Sequence, residues 1–240
     1  MKVIRFEIEG FLNSFRVPFF RTYHKSLLAP PKTTLIGMLC NISLKSQKEF
    51  FDILNDERVF VSVVIDKIEG KAKDLWAYKT LVTNDQRGRS VIQRDRLFAS
   101  KYTVYLKITD DELFNDFYKA LKNPRNIPSL GMDDELIYLK NITDDFGLEE
   151  NKTQTVDSIF LDKGYKYKVK PKDITKAIVL PTFQQVPTKF IAFDKKGERV
   201  SREPVKDSVF NQVEFINCEI EFLEDIETFI DNKNNRILFY

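Results

Sequence analysis

The chain has one histidine, and His24 stands between Tyr23 and Lys25. Those three types are a base, an acid and a cation, which is what metal-free attack of an RNA 2′-hydroxyl on its phosphate needs. A surface histidine explains the same pattern, because neighbours in a loop need not converge. A second group is Gln86-Arg87-Gly88-Arg89-Ser90-Val91-Ile92-Gln93-Arg94-Asp95-Arg96, where arginines alternate with uncharged residues. On a hairpin arm Arg87 and Arg89, then Arg94 and Arg96, share a side and can grip phosphates. Trp76, Tyr78, Lys79 and Phe98 flank it, aromatic faces and a cation suited to unpaired bases. A solvated hairpin and a packed Trp76 are the plain alternatives. The third group is Lys32-Thr33-Thr34, where a helix N-terminus beside a cation makes a phosphate seat or simply a cap. Arg16 and Arg21 lead into it.

Other chemistries are excluded. The eight glycines permit no Walker A loop, no Gly-x-Gly-x-x-Gly and no Gly-x-Ser-x-Gly, so no nucleotide cofactor or serine-hydrolase site is expected. A single histidine rules out His-x-x-x-His zinc sites. Gly131-Met132-Asp133-Asp134 is similar to the acidic turn of polymerase palms, but it follows the second long helix instead of joining two strands, so it reads as a solvated turn without metal. Cys40 and Cys218 form no metal or redox spacing and read as buried thiols.

The elements that must position these groups follow from periodicity. Ile4, Phe6 and Ile8 alternate with Arg5, Glu7 and Glu9 as in a half-buried strand. Leu35, Met38, Leu39 and Ile42 have helical spacing after Pro30-Pro31, with a threonine as the predicted cap. Val59–Ile65 reads as a strand buried on both faces. Residues 71–100 form a long insertion of two ragged strands with a tip near 84–89. Residues 101–109 alternate again, Tyr102, Val104, Leu106 and Ile108 inward, Lys101, Thr103, Tyr105 and Lys107 outward. Asp110-Asp111 opens a helix carrying Leu113, Phe114, Phe117, Tyr118 and Leu121 on one stripe, and Leu136–Leu139 can make a fourth strand.

This order predicts an α+β, ferredoxin-like (RRM-like) βαββαβ domain over 1–150 with a hairpin insertion at about 71–100. A small β-rich subdomain over 151–240 is predicted to follow, with Ser158–Leu161, Tyr165–Lys170, Ala177–Leu180, Phe190–Phe193 and Phe215–Phe222 as strands and Lys195–Glu198 as a turn. Lys166, Lys168 and Lys170 mark an edge strand protected from aggregation. The +2 net charge hides polarity: residues 1–48 hold eight basic and two acidic side chains, whereas 211–231 hold seven carboxylates and no Lys or Arg. That acidic stretch reads as one strand, with Ile216, Cys218, Ile220 and Phe222 inward and the acids in water, then a short helix or loop. No signal core or membrane-length apolar run is present, so a cytoplasmic protein is expected.

Three segments carry a family resemblance: Gly10-Phe11-Leu12-Asn13-Ser14-Phe15-Arg16, Ala29-Pro30-Pro31-Lys32-Thr33-Thr34-Leu35-Ile36-Gly37-Met38-Leu39, and Ile127-Pro128-Ser129-Leu130-Gly131. In order and spacing they resemble the signatures of the CRISPR-associated Cas-five family of the RAMP superfamily, subunits of type I Cascade complexes, here I-B-like. The resemblance covers residues 1–140 well and the rest loosely. It implies antiviral defence, a hold on the five-prime handle of CRISPR RNA, a thumb at 76–98, contacts with the Cascade backbone and large subunits, and target DNA met only through the complex. The implied RNA-binding residues are Arg16, Arg21, Lys32, Thr33, Trp76, Lys79, Arg87, Arg89, Arg94 and Arg96. Members of one subtype cut precursor RNA with a tyrosine, lysine and histidine set; no matching Lys-His pair is found here. A non-catalytic binder without cofactor is therefore the primary expectation, and an endoribonuclease using His24, Tyr23 and Lys25 the alternative.

Overall fold

The structure is a computed structural model that describes residues 2–18, 20, 23–79, 89–161, 164–176, 178–195, 199–204 and 209–240, with backbone only for 78, 79, 89, 183–185, 187, 191–195, 199–204 and 209–214. β5 (Arg89–Ile108) is its organising strand. Its second half lies between β1 (Val3–Asn13) and β3 (Val59–Lys67), and β6 (Ile137–Thr143) pairs with the far side of β1. The spatial order is β3-β5-β1-β6, every neighbouring pair antiparallel.

Ile4, Phe6 and Ile8 point into the core as their alternation predicts, joined there by Leu35, Ile36 and Leu39 of α1 (Lys32–Ile42) and Leu113, Phe117 and Leu121 of α3 (Asp111–Lys122). α3 starts where predicted, because the Asp110 carboxylate accepts from Leu113 N–H at 2.7 Å. α1 does not use a threonine cap. Pro31 occupies that position, and the Lys32 N–H donates to the buried Tyr240 hydroxyl at 3.0 Å instead. α2 (Gln47–Asn55) was not anticipated, yet Ser46 and Glu49 cap each other reciprocally and Phe50, Phe51, Ile53 and Leu54 are buried.

The insertion is more regular than its polar sequence suggests. β4 (Gly70–Lys79) pairs with β5 from Gly70↔Phe98 to Lys79↔Arg89, so a two-stranded arm continues the central strand directly. Residues 80–88, and with them most of the tip predicted near 84–89, lie outside the described residues.

The helix-free face of the sheet differs most from expectation. Arg5, Glu7, Thr103 and Tyr105 were assigned to water, but all four are buried. The segment after β13 (Cys218–Ile230) closes over them: Asp231 accepts from Arg5 and from the Tyr105 hydroxyl, each at 2.7 Å, and Lys233 Nζ donates to Glu7 at 2.6 Å. β13 continues through residues read as a helix or loop, and Asp231 is buried, not solvated. β13 also pairs with β7 (Glu149–Val156), β8 (Tyr167–Pro171) and β14 (Arg236–Ile237), leaving β8 with β13 as its one described partner and Lys168 and Lys170 exposed. Residues 158–161 form only an isolated bridge, Val64↔Ser158, with Ile159 donating to the Val63 carbonyl at 3.0 Å. β9 (Val179–Pro187) pairs with β12 (Val209–Ile216), and β10 (Phe190–Lys195) with β11 (Arg199–Pro204). Residue 195, which opens the predicted Lys195–Glu198 turn, pairs with Arg199; 196–198 lie outside the described residues. Val156, Ile159, Phe160, Cys218, Ile220 and Phe222 share one apolar core with the first sheet. No described helix is long and apolar enough to cross a membrane.

This closure makes stability acid-sensitive. Burial alone raises the Glu7 pKa, but hydrogen bonds from Lys233, Asn141 and Lys101 outweigh it and hold it at about 2, below the usual 4.5. A depressed folded-state pKa contributes stability that is complete above the unfolded value and disappears as pH falls through the folded one. Denaturant midpoints should therefore drop between about pH 4.5 and about pH 2, and Glu7→Gln should flatten that part of the curve. An unchanged pH profile in the variant would refute the assignment.

Candidate functional site

Beside α1 opens a cleft of about 540 Å³, lined by Ser14, Arg16, His24 and Lys25, by Thr33, Thr34 and Gly37, by Lys45–Gln47, and by Ser129, Gly131, Met132 and Asp133. Each of the three signature segments contributes to its wall. The segment before α1 is tied to the arm by β2 (Tyr23–His24), which runs parallel to β5 with Tyr23 opposite Gln93 and His24 opposite Arg94. The two basic stretches of the sequence therefore meet in space.

Where they meet, Arg94 and Arg96 are already paired. Arg94 donates to Asp74 through Nη2 at 2.6 Å and Nε at 3.2 Å, and Arg96 reaches the same oxygen at 3.4 Å. Arg96 also lies 3.3 Å and Arg94 3.9 Å from Glu135. Two arginines thus face two carboxylates, so Arg94 and Arg96 brace the arm where the alternation had suggested a phosphate grip. Trp76 packs in the same cluster, 5.5 Å from the Arg94 guanidinium and 6.0 Å from the His24 ring.

Glu135 was not singled out in the sequence. It is 1% exposed and accepts from Ser14 N–H at 2.6 Å, Ser14 Oγ–H at 2.7 Å and Met132 N–H at 3.1 Å. Its only sequence signal is that it follows the third signature in a loop otherwise read as solvated. Gly131 permits the arrangement: at φ +111°, an added Cβ would stand 2.2 Å from a Glu135 oxygen and 2.4 Å from the Ser14 carbonyl.

Of the cations that line the cleft among the described residues, Arg16 and Lys25 are left for a ligand. Among the described residues neither forms an ion pair; Arg16 is exposed and donates only to the Phe20 carbonyl at 3.5 Å, and the Lys25 ammonium lies 5.5 Å from the Phe20 ring. Lys45, also in the wall, is paired with Asp116 at 2.6 Å. Thr33 reaches the wall. Lys32 does not: it is buried, its amine 5.7 Å from the Phe60 ring, and burial with Lys189 nearby brings its pKa down to about 8. Arg21 and Arg87 lie outside the described residues, and of Lys79 and Arg89 only the backbone, paired across the arm, is described.

The three groups at 23–25 do not gather. Tyr23 packs on Phe20 at 5.0 Å beside Lys25, whereas His24 turns to Trp76. Burial first, then Arg16 and Arg94, hold the His24 pKa below its usual value. Cys40, at the floor of the cleft, is inert, its thiol pushed by burial to about 12.

The fold belongs to a class already seen among CRISPR proteins. A chain of a "CRISPR RNA-guided surveillance complex" is similar over 91% of this chain and 91% of its own, with 16% identity and a TM-score of 0.53. The "Crystal structure of a CRISPR protein from Archaeoglobus fulgidus" is similar over 99% and 98%, with 12% identity and a TM-score of 0.54. The "Crystal structure of Cas protein" aligns over 55% of this chain and 57% of that one, at 20% identity and a TM-score of 0.39. No curated protein matches. The family model described as "CRISPR-associated protein (Cas_Cas5)" matches residues 3–210, and the chain belongs to that family.

Proposed function

We propose that this protein is a non-catalytic subunit of a CRISPR RNA-guided complex and holds the unpaired five-prime handle of the CRISPR RNA in the cleft beside α1. The observation that carries the reading is the convergence on one cleft of all three signature segments with the unpaired cations Arg16 and Lys25. The order β3-β5-β1-β6, wholly antiparallel with helices in both crossovers, supports a ferredoxin-like domain over 1–150, with the arm as its thumb and 151–240 as the β-rich part. Such modules commonly stack RNA on the open sheet face. Here residues 231–237 cover part of that face, which favours the helix side. A similar chain within a surveillance complex supports membership of such an assembly; on this reading the protein works in the cytoplasm, contacts the backbone and large subunits, and meets target DNA through them. Arg87 and Arg89 of the insertion, with Lys79 and Arg21, would add phosphate contacts, while Trp76 supports the arm from its packed position.

The test is fluorescence anisotropy with labelled repeat RNA carrying the handle, titrated over a range of salt. Arg16→Ala/Lys25→Ala should weaken binding and reduce the salt slope by roughly 1.4, since each phosphate contact on a single strand contributes about 0.7. An unchanged affinity and slope would remove the cleft from the proposal. The same RNA, incubated with the protein in EDTA, should stay intact; fragments that vanish in His24→Ala would replace the binder with the nuclease.

A further inference from the structure

We infer that Glu135 is the positioning residue that sets the direction in which the arm leaves the domain. Its carboxylate joins three parts that are otherwise separate in the chain. Two hydrogen bonds go to Ser14 at the end of β1, one to Met132 in its own loop, and ion pairs reach Arg96 and, more distantly, Arg94 on β5. Those arginines also hold Asp74 on β4, so both strands of the arm are fastened through one group to the cleft wall. β4 and the first half of β5 pair chiefly with each other, with a two-residue contact to β2, and two strands alone make a weakly held ribbon. Glu135 is buried, so among the described residues its charge is compensated by these partners, and losing them is costly enough to give the arm a single preferred orientation. The Arg96 Nε is buried without a partner among the described residues, so the guanidinium is held by its ends and depends on Asp74 and Glu135 for its place.

The mechanical part of this inference stands on geometry; its consequence for RNA rests on the proposed function. Two readouts separate them. Nitroxide labels at Leu75→Cys on the arm and Leu44→Cys after α1, both exposed sites, report the arm angle without RNA, and the native Cys40 and Cys218 are buried. Glu135→Gln should broaden or shift the measured distance; an unchanged distribution overturns the inference. Arg96→Met, which keeps the packed stem and all of the Glu135 hydrogen bonds to Ser14, should do the same if Glu135→Gln fails to fold.

With handle RNA, Glu135→Gln should lose about tenfold in affinity, a typical coupling for residues in one network. In a background already carrying Arg87→Ala/Arg89→Ala it should lose no more than about twofold, because the arm then has little left to position. Losses that multiply fully would mean that Glu135 acts elsewhere. Failure of the wild-type protein to bind RNA would sink the proposed function and leave the label experiment to judge Glu135.

Discussion

Asp231→Ala should lower unfolding free energy by about 3–5 kcal/mol, the cost of leaving a buried cation without its anion. In a chain of this size that is a fall in melting temperature on the order of 10 °C. The substitution removes an acceptor from four donors at once: the Arg5 guanidinium, which keeps only the neutral Asn232 Oδ1 at 2.6 Å, the Tyr105 hydroxyl, and the N–H groups of Lys233 and Asn235. Arg5 is itself buried, with its guanidinium 4.7 Å from the Phe146 ring, and water does not replace the lost carboxylate freely. Asp231→Asn keeps acceptors for the two N–H groups and should cost less. Arg5→Met together with Asp231→Leu should recover the part of the loss due to the uncompensated charge, while Tyr105 and the two N–H groups still lack their acceptor. Thermal melts of the three variants decide: a single variant as stable as wild type would show that this network contributes little.

Gly131→Ala should be nearly as damaging, at about 2–5 kcal/mol, from a left-handed backbone that disfavours any side chain combined with a collision. The collision is the larger part, since the Ser14 carbonyl belongs to the backbone and Glu135 is held by three hydrogen bonds. Gly147 provides the control. It also has positive φ, at +61°, but nothing stands within 4 Å of its would-be Cβ, so Gly147→Ala should cost only about 1 kcal/mol. RNA affinity should fall in Gly131→Ala and hold in Gly147→Ala when both are measured below their melting transitions. Equal losses in stability would refute the packing argument.

The local elements were legible because their signals are local. Alternation in residues 4–8 and 102–108 and the stripe from Leu113 to Leu121 each place an apolar face toward one core. α2 was missed although Ser46 and Glu49 are spaced as a capping box. The face of Arg5, Glu7 and Tyr105 was misjudged for a different reason. Alternation says which side chains point away from the helices, and not whether something else covers them. The arginines at 94 and 96 were correctly placed on one side of an arm, but their role depended on Asp74 and Glu135, which alternation cannot supply.

By itself the sequence determined the strands around residues 4–8 and 102–108, the helices α1 and α3, the basic and acidic segments, the signature segments and the family they mark, because each rests on residues close together in the chain. Which charges remain available to a ligand follows from the packing of the folded chain. Arg5 meets Asp231 across 226 positions and Ser14 meets Glu135 across 121, and a buried ion is neutralised by whatever the fold brings within about 4 Å of it. Arg16 and Lys25 remain available because no carboxylate among the described residues pairs with them, a fact of packing that no residue type announces.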